Sequence, residues 1–282
     1  MVRRAKSDAS VEARMPIKYK YSSLEDFLIS RPATVDGELD DGWGAPFPVK
    51  GREIDATILF ADIPGFTART EHLTSTETLA FVNNFFSWIS AEALLDRPCL
   101  IDKYIGDEIM VVFSNEFGGE NAFVEAIQAA RWMGEHDVLD FQPQIGLASG
   151  RVTVGYVGTP LRYGCSVFGR PVAIAARCAK VGSEDDGEFT SRIVFPAADW
   201  GALDFTQVFP PGQVRLPDGT LKDRPMPWRK HEPRTVDVKN VGSLEIIEVG
   251  NPMRRLNSFT AEERVKEGIE ILRKQGRYRP AE

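Results

Sequence analysis

Cysteine and histidine are scarce in this sequence of 282 residues, which contains three of each. Cys99, Cys165 and Cys178 are too few and too far apart for a disulfide framework or a paired-cysteine metal site. The three histidines are equally scattered, and none has the spacing of a metal ligand relative to another histidine or a cysteine. These shortages exclude a disulfide-stabilised domain and favour a protein of a reducing compartment.

Long apolar runs and an excess of basic residues are also missing. No run approaches the roughly 18 apolar residues of a membrane span, and the basic residues near the start are not followed by the apolar core of a secretory signal. Lysine and arginine total 34 against 41 aspartates and glutamates, a net charge of −7, which does not favour nonspecific binding to nucleic acid. We therefore expect a cytoplasmic protein that neither binds nucleic acid nor inserts into membranes.

The remaining composition, 43% hydrophobic and 27% charged, is that of an ordinary globular protein of one or two domains. Changes in composition and hydrophobic periodicity along the chain predict three parts: a partly disordered N-terminal extension over 1–50, a main domain over 51–250, and a C-terminal helix and tail over 251–282. Proline, glycine and aspartate concentrate at about 198–234, which predicts a loop insertion with one hairpin. Ser23 is predicted to cap a short helix, and Thr260 to begin a capping box before the last helix.

Periodicity within the main domain predicts the order β-α-β-β-α-β-β-α. Residues 54–63 form an apolar run rich in β-branched residues, which is typical of a central strand. Residues 144–158 are interpreted as two strands around a turn at Gly150–Arg151. The order indicates an α+β fold in which helices cover one face of a mostly antiparallel sheet.

Two aspartates interrupt apolar runs, where burying a charge is costly unless something compensates it. Asp62 closes the predicted central strand, and Asp107 lies in the turn of the following hairpin, after Gly106. Brought together, the two carboxylates would repel each other unless a hard divalent cation such as Mg²⁺ or Mn²⁺ lay between them. The alternative is that Asp62 only caps a turn and Asp107 only belongs to a glycine-containing hairpin turn.

Four motifs in sequence order distinguish these alternatives: FADIPGFT from Phe60, KYIGDEIMVVF from Lys103, IGLASGRVTVGYVG from Ile145, and VFGRPVAIAAR from Val167. Together they resemble the class III nucleotidyl cyclase catalytic domain over about 54–183, with RTVDVKNVGSLEIIEV from Arg234 similar to the closing strands of that family. The resemblance implies a ferredoxin-like βαββαβ core and a head-to-tail homodimer with composite active sites.

The resemblance also implies roles for particular residues. Asp62 and Asp107 match the two metal-binding aspartates, which with Ile63 would hold two Mn²⁺ or Mg²⁺ ions in each active site. Arg177 matches the arginine that crosses from the other subunit to stabilise the transition state. The triphosphate would bind to backbone N–H groups of the segment after Asp62, which comprises Ile63, Gly65, Phe66 and Thr67. Lys239 would be a second contact of the triphosphate, although the position where the family is most expected to have lysine is occupied by Val241.

The sequence departs from adenylate cyclases around the base. Lys103 keeps the base-reading lysine, but Ser166 replaces the acidic partner and Ala173 replaces an asparagine. A lysine donor and an adaptable hydroxyl suit the carbonyls and N–H of uracil. The sequence thus looks like the pyrimidine cyclases of bacterial antiphage defence, with UTP favoured over CTP and a cyclic product read by a separate effector. The alternatives are a cytidylate cyclase, a divergent adenylate cyclase of ordinary signalling, and an inactive nucleotide-binding regulatory module.

Overall fold

The computed structural model describes residues 20–40, 46–137, 141–159, 162–182, 191–216, 219–224, 228–251, 261–276 and 278–279. The helices are α1 (Leu24–Ile29), α2 (Phe66–Thr70), α3 (Ser75–Trp88), α4 (Ala122–Glu135), α5 (Arg170–Cys178), α6 (Ala197–Trp200), α7 (Phe205–Val208) and α8 (Ala261–Lys274). The strands are β1 (Val35–Asp40), β2 (Pro46–Asp62), β3 (Cys99–Ile105), β4 (Glu108–Phe113), β5 (Gln144–Thr159), β6 (Arg162–Phe168), β7 (Ser191–Pro196), β8 (Gly212–Arg215), β9 (Leu221–Arg224), β10 (Arg229–Lys230), β11 (Arg234–Val238) and β12 (Gly242–Asn251).

A mixed sheet runs through the molecule in the order β10-β12-β7-β5-β2-β4-β3, with β1, β6 and β11 attached to β2, β5 and β12. Every pairing in it is antiparallel except that of β5 with β7. The segment from β2 to β5 has the predicted order βαββαβ, with α3 and α4 as its two helices. The α+β class is therefore confirmed.

The C-terminal part of β2, from Ala56 to Ala61, is buried on both faces, which explains the continuous apolar sequence there. Ile58 and Phe60 belong to one core cluster, whereas Leu59 and Ala61 belong to the other. Because successive side chains of a strand point to opposite faces, each face of β2 needs its own cover.

Helices cover both faces of this sheet, so the prediction of one covered face is wrong. Phe85 of α3, Ile127 of α4 and Ile269 of α8 lie in one cluster. Phe27 of α1 and Ala175 of α5 lie in the opposite cluster. The two core helices do share a face, as predicted, and α5 with α1 supplies the cover that the apolar second face requires.

Strand β5 is one continuous strand of 16 residues, and the predicted turn at Gly150–Arg151 is wrong. Its backbone pairs with β2 at twelve consecutive positions, from Asp62↔Gln144 to Gly51↔Gly155. Gly150 has a φ of +148°, which a glycine adopts without steric cost inside the strand. The long partner strand holds β5 extended through this glycine, and the hairpin comes later, between β5 and β6.

The segments outside the core follow the sequence in part. Ser23 accepts a hydrogen bond from the Asp26 N–H and caps α1, as predicted, and β8 and β9 form the predicted hairpin in the insertion. Residues 1–19 of the extension and the capping residue Thr260 lie outside the described residues. In the described part of the chain, no helix is long and apolar enough to cross a membrane.

Candidate active site

The sheet brings the two predicted aspartates into contact. Asp62 is the last residue of β2, and the pairing Ala61↔Ile109 places the β3–β4 turn beside it. Gly106 lies in this turn with a φ of +65°. This left-handed conformation helps the chain to reverse its direction immediately before Asp107. The carboxyl groups of Asp62 and Asp107 lie within hydrogen-bonding contact.

The electrostatics around this pair favours a cation. Burial raises the pKa of Asp62 to about 7, and the hydrogen bond and charge of Asp107 add to the rise. Burial also raises the pKa of Glu108, the residue that follows, although the Lys180 ammonium lies 3.6 Å from its Oε2 and acts against the rise. Among the described residues, Lys180 is the cation that acts to lower the pKa of both Asp62 and Glu108, and its ammonium is mostly exposed.

The donor set of this centre fits Mg²⁺ or Mn²⁺. Oε1 of Glu108 is buried and has no hydrogen-bond partner among the described residues, which marks the region as short of positive charge. Over the same residues, no group of three histidine, cysteine, aspartate or glutamate side chains is arranged as a metal cage. In nucleotide sites, Mg²⁺ is usually bound by one or two carboxylates, and its other ligands are backbone, water and phosphate oxygens. Asp62 and Asp107 would hold the ion, and Ile63, the third predicted ligand, follows Asp62 directly in the chain.

The segment after Asp62 turns sharply into α2. The Ile63 side chain is buried in the core, and its carbonyl accepts the Phe66 N–H at 3.2 Å. Gly65 precedes the helix with a φ of +64°, and both Gly65 and Thr67 are exposed. Arg69 anchors the short helix, because its Nη1 donates to the Phe141 carbonyl at 2.7 Å. The predicted phosphate-binding segment is therefore a turn that is exposed at Gly65 and Thr67 and leads into a helix anchored by Arg69.

Arg177 lies near the end of α5, which is packed unusually close to β5. A Cβ atom at Gly146 would lie 2.0 Å from the Ala175 carbonyl oxygen, so only glycine permits this approach. The Arg177 guanidinium donates to the backbone carbonyl of Lys239, whose side chain is exposed. The structure thus brings Arg177 and Lys239 together, and in the described part of one chain Arg177 makes no hydrogen bond to Asp62 or Asp107.

The two predicted base-reading residues also meet. Lys103 of β3 donates from Nζ to Oγ of Ser166 on β6 at 2.7 Å, although 63 residues separate them. Leu100 of β3 and Val167 of β6 share one core cluster, which holds the two strands against each other. The juxtaposition of Lys103 and Ser166 is as the sequence led us to expect.

Sequence reasoning missed Asp102 at this pocket. Its Oδ2 accepts the Ser166 hydroxyl at 3.1 Å and lies 3.2 Å from the Lys103 ammonium. Burial raises the pKa of Asp102, while Lys103 and Ser166 act to lower it. Neighbouring residues of a regular strand point to opposite faces, but the β3–β4 register shifts between Ile101 and Lys103. This β-bulge lets Asp102 and Lys103 reach the same partner.

The fold and site define a nucleotidyl cyclase domain, and a family comparison agrees. The family described as the adenylate and guanylate cyclase catalytic domain matches residues 49–194, slightly more than half of the chain. The chain belongs to this family. Its fold is that of the class III cyclases.

Individual relatives are more distant. An adenylate cyclase of Dictyostelium discoideum, specific to terminal differentiation, is 30% identical over 146 residues, which are 49% of this chain and 7% of that protein. An adenylate cyclase of Anabaena cylindrica is 28% identical over 151 residues, 47% of this chain and 30% of that protein. The match therefore spans less than a third of either curated relative.

The solved structures are distant from this chain in sequence, so they support its fold and nothing further. The adenylyl cyclase CyaB from P. aeruginosa has a TM-score of 0.54 and 22% identity over 73% of this chain and 99% of that one. The guanylate cyclase domain of RhGC from Catenaria anguillulae, solved in complex with GTP, has a TM-score of 0.51 and 18% identity over 71% and 99%.

Proposed function

We propose that this chain cyclises a pyrimidine nucleoside triphosphate, with UTP favoured, to the 3′,5′-cyclic monophosphate and pyrophosphate. The observation that carries the proposal is the contact between Asp62 and Asp107 at the end of the central strands of a cyclase domain. Two half-buried carboxyl groups held together destabilise the fold unless they serve a cation. Their presence together with Arg177 supports an enzyme over an inactive nucleotide-binding module.

The chemistry assigns a task to each part of the chain. The turn from Ile63 to Thr67 binds the triphosphate by backbone N–H groups, with Lys239 as a second contact. When bound, Mg²⁺ or Mn²⁺ at Asp62 and Asp107 would neutralise phosphate charge and favour ionisation of the ribose 3′-hydroxyl. The 3′-oxygen then bonds to the α-phosphorus, the bond from that phosphorus to the bridging oxygen breaks, and pyrophosphate leaves. The hydroxyl proton passes to solvent.

Arg177 would stabilise the charge that develops on the phosphoryl oxygens, since a planar guanidinium binds such oxygens in pairs. Arg177 makes no hydrogen bond to Asp62 or Asp107 in the described part of one chain, which supports a head-to-tail homodimer in which it serves the partner's site. The test mixes Asp62→Ala and Arg177→Ala proteins, each inactive alone. Random reassociation should restore about a quarter of wild-type activity, because half of the dimers then carry one intact composite site. No recovery despite confirmed heterodimers would argue against shared sites.

The base preference rests on Lys103 and Ser166. The Lys103 ammonium suits a carbonyl acceptor of uracil or cytosine, and Ser166 offers a small hydroxyl in place of an acid. Tyr104 and Phe168, both about half exposed, flank this pair in sequence and add bulk suited to a single-ring base. CTP is the closest alternative substrate.

One observation favours a second candidate, a divergent adenylate cyclase. Asp102 supplies a carboxylate within 3.2 Å of Lys103, so the pocket is not without an acid as the sequence had indicated. Adenine, with a ring acceptor beside an amino donor, also fits a lysine and an acceptor. Cyclic AMP would then be the product, in ordinary second-messenger signalling.

The experiment that separates these candidates incubates the purified protein with Mn²⁺ and each of ATP, GTP, CTP and UTP, and identifies products by mass spectrometry. Cyclic UMP or cyclic CMP is the expected result and would fit a messenger of antiphage defence acting on a separate effector. Cyclic AMP would keep the mechanism and overturn the pyrimidine assignment. Activity that survives in the Asp62→Ala, Asp107→Ala double variant would overturn the site itself.

A further inference from the structure

We propose that Asp102 fixes the direction of the Ser166 hydroxyl hydrogen, so that Ser166 offers the base an acceptor while Lys103 offers a donor. The inference rests on the proposed function and sharpens its substrate preference. Asp102 is a positioning residue in this proposal, because it acts on the nucleotide through Ser166.

The hydrogen-bond directions follow from the atoms present. A lysine ammonium has only donors, so the 2.7 Å contact from Lys103 Nζ requires the Ser166 oxygen to accept. A carboxylate has only acceptors, so the 3.1 Å contact with Asp102 Oδ2 takes the single hydroxyl hydrogen of Ser166. One lone pair then remains on Ser166. Lys103 has three N–H groups, and its contacts with Ser166 and Asp102 use two of them.

Exposure to solvent distinguishes Asp102 from Lys103, while Ser166 is 5% exposed. The Asp102 side chain has no exposed surface, whereas that of Lys103 is 43% exposed. The second oxygen, Oδ1, is buried and has no hydrogen-bond partner among the described residues. Asp102 therefore lies beneath the pair as a buried acceptor whose donors are Ser166 and Lys103.

The fixed directions limit which base edges can bind. An acceptor beside a donor matches N3–H and O4 of uracil, and also the N4 amino group and N3 of cytosine. If Asp102 were absent, the Ser166 hydrogen could turn towards the ligand and the pocket would present two donors. Two donors match the adjacent acceptors N3 and O2 of cytosine, whereas uracil has no two adjacent acceptors. Removing the buried acceptor should thus shift the preference from uracil towards cytosine.

The test compares kcat/KM for UTP and CTP, and separately the dissociation constants of both nucleotides by calorimetry, in the full-length protein. Asp102→Val removes the acceptor at similar side-chain volume. It should lower the ratio of kcat/KM for UTP to that for CTP about tenfold, which corresponds to the loss of one hydrogen bond that leaves a group without a partner. Asp102→Asn keeps an acceptor oxygen and should retain the ratio within about threefold. If Asp102→Val does not fold, Asp102→Ala serves in its place with the same expected shift.

The double variant decides whether Asp102 acts through Ser166. In a Ser166→Ala background, Asp102→Val should leave the UTP/CTP ratio unchanged, because the hydroxyl it directs is gone. The matched control is Asp199→Ala, a half-buried acid outside this pocket, whose Oδ2 accepts the N–H of Ser149 on β5 at 2.8 Å. This control should lower stability without changing the ratio.

Three results would overturn the proposal: an equal loss for both nucleotides in Asp102→Val, a ratio shift that persists without Ser166, or an Asp102→Asn protein that behaves like Asp102→Val. The binding ratio keeps the two proposals separate. A protein that makes no cyclic product from any nucleotide contradicts the proposed function, while its dissociation constants still test the role of Asp102.

Discussion

Two acidic centres of this molecule differ in how their charge is balanced. At the carboxylate centre, Asp62 and Asp107 face each other, and Glu108 adds a third acid near one exposed ammonium. At the base pocket, the Asp102 side chain has no exposed surface and lies 3.2 Å from the Lys103 ammonium. We propose that the first centre takes a cation from outside the chain, whereas the second already contains its own.

The largest expected effect is on catalysis at the carboxylate centre. Asp107→Asn should lower kcat about a thousandfold or more, because several kcal/mol of cation-dependent stabilisation is lost. The same change should raise the free energy of unfolding in metal-free buffer above pH 7, where Asp62 has lost its proton, since it removes one of two like charges in contact. Steady-state kinetics and urea denaturation in EDTA measure the two effects. A variant that loses both activity and stability would break the contrast between the centres.

The same kind of change at the base pocket should act in the opposite direction on stability. Lys103→Met removes the countercharge of a buried carboxylate and should lower the free energy of unfolding by about 1–3 kcal/mol, less than for a fully buried pair because Lys103 is partly exposed. Denaturation at neutral pH checks this, with Lys239→Met, which is exposed, as the matched control. An unchanged midpoint would mean that Asp102 does not depend on Lys103.

The pH dependence of stability should also reveal the carboxylate centre. Asp62 has an ordinary pKa of 3.8, which the folded protein raises to about 7. Between these values the folded protein keeps a proton that the unfolded chain releases, so the free energy of unfolding falls as pH rises from about 4 to about 7. Asp62→Asn should remove this part of the slope in metal-free buffer. Identical slopes in the two proteins would contradict the raised pKa.

The smallest expected effect is at an exposed pair that belongs to neither centre. Asp55 and Arg151 form an ion pair at 3.0 Å, with side chains 77% and 62% exposed. Asp55→Asn should change the free energy of unfolding by less than about 0.5 kcal/mol, because solvent screens such pairs. A larger loss would show that solvent exposure is a poor guide to how much these charges contribute to the free energy of unfolding.

The sequence predicted the carboxylate centre better than the base pocket for a physical reason. Asp62 and Asp107 stand at a strand end and in a glycine turn, where local pattern alone marks a costly charge. Asp102 depends on a β-bulge and on Ser166, which lies 64 residues away, and neither has a local signature. Its one visible signal is a charged residue inside the apolar strand LIDKYI.

The errors in the fold have a similar origin. Gly150 looked like a turn because glycine permits one, but the twelve backbone pairs with β2 hold the strand extended there. Helices were expected on one face because alternation along a single strand does not reveal what lies above and below it. Both properties depend on partners distant in sequence. The order of the core elements depends on neighbours along the chain and was predicted correctly.

The position of α1 has a practical consequence for dissecting this protein. Phe27 is fully buried and meets Phe117 edge to face, with ring centroids 5.1 Å apart, and Tyr21 packs beside both. The family match begins only at residue 49. A minimal fragment cut at that boundary would uncover an aromatic patch on its surface and should aggregate. The smallest unit that folds by itself therefore begins before α1, and a cyclase assay on a shorter fragment would measure misfolding instead of chemistry.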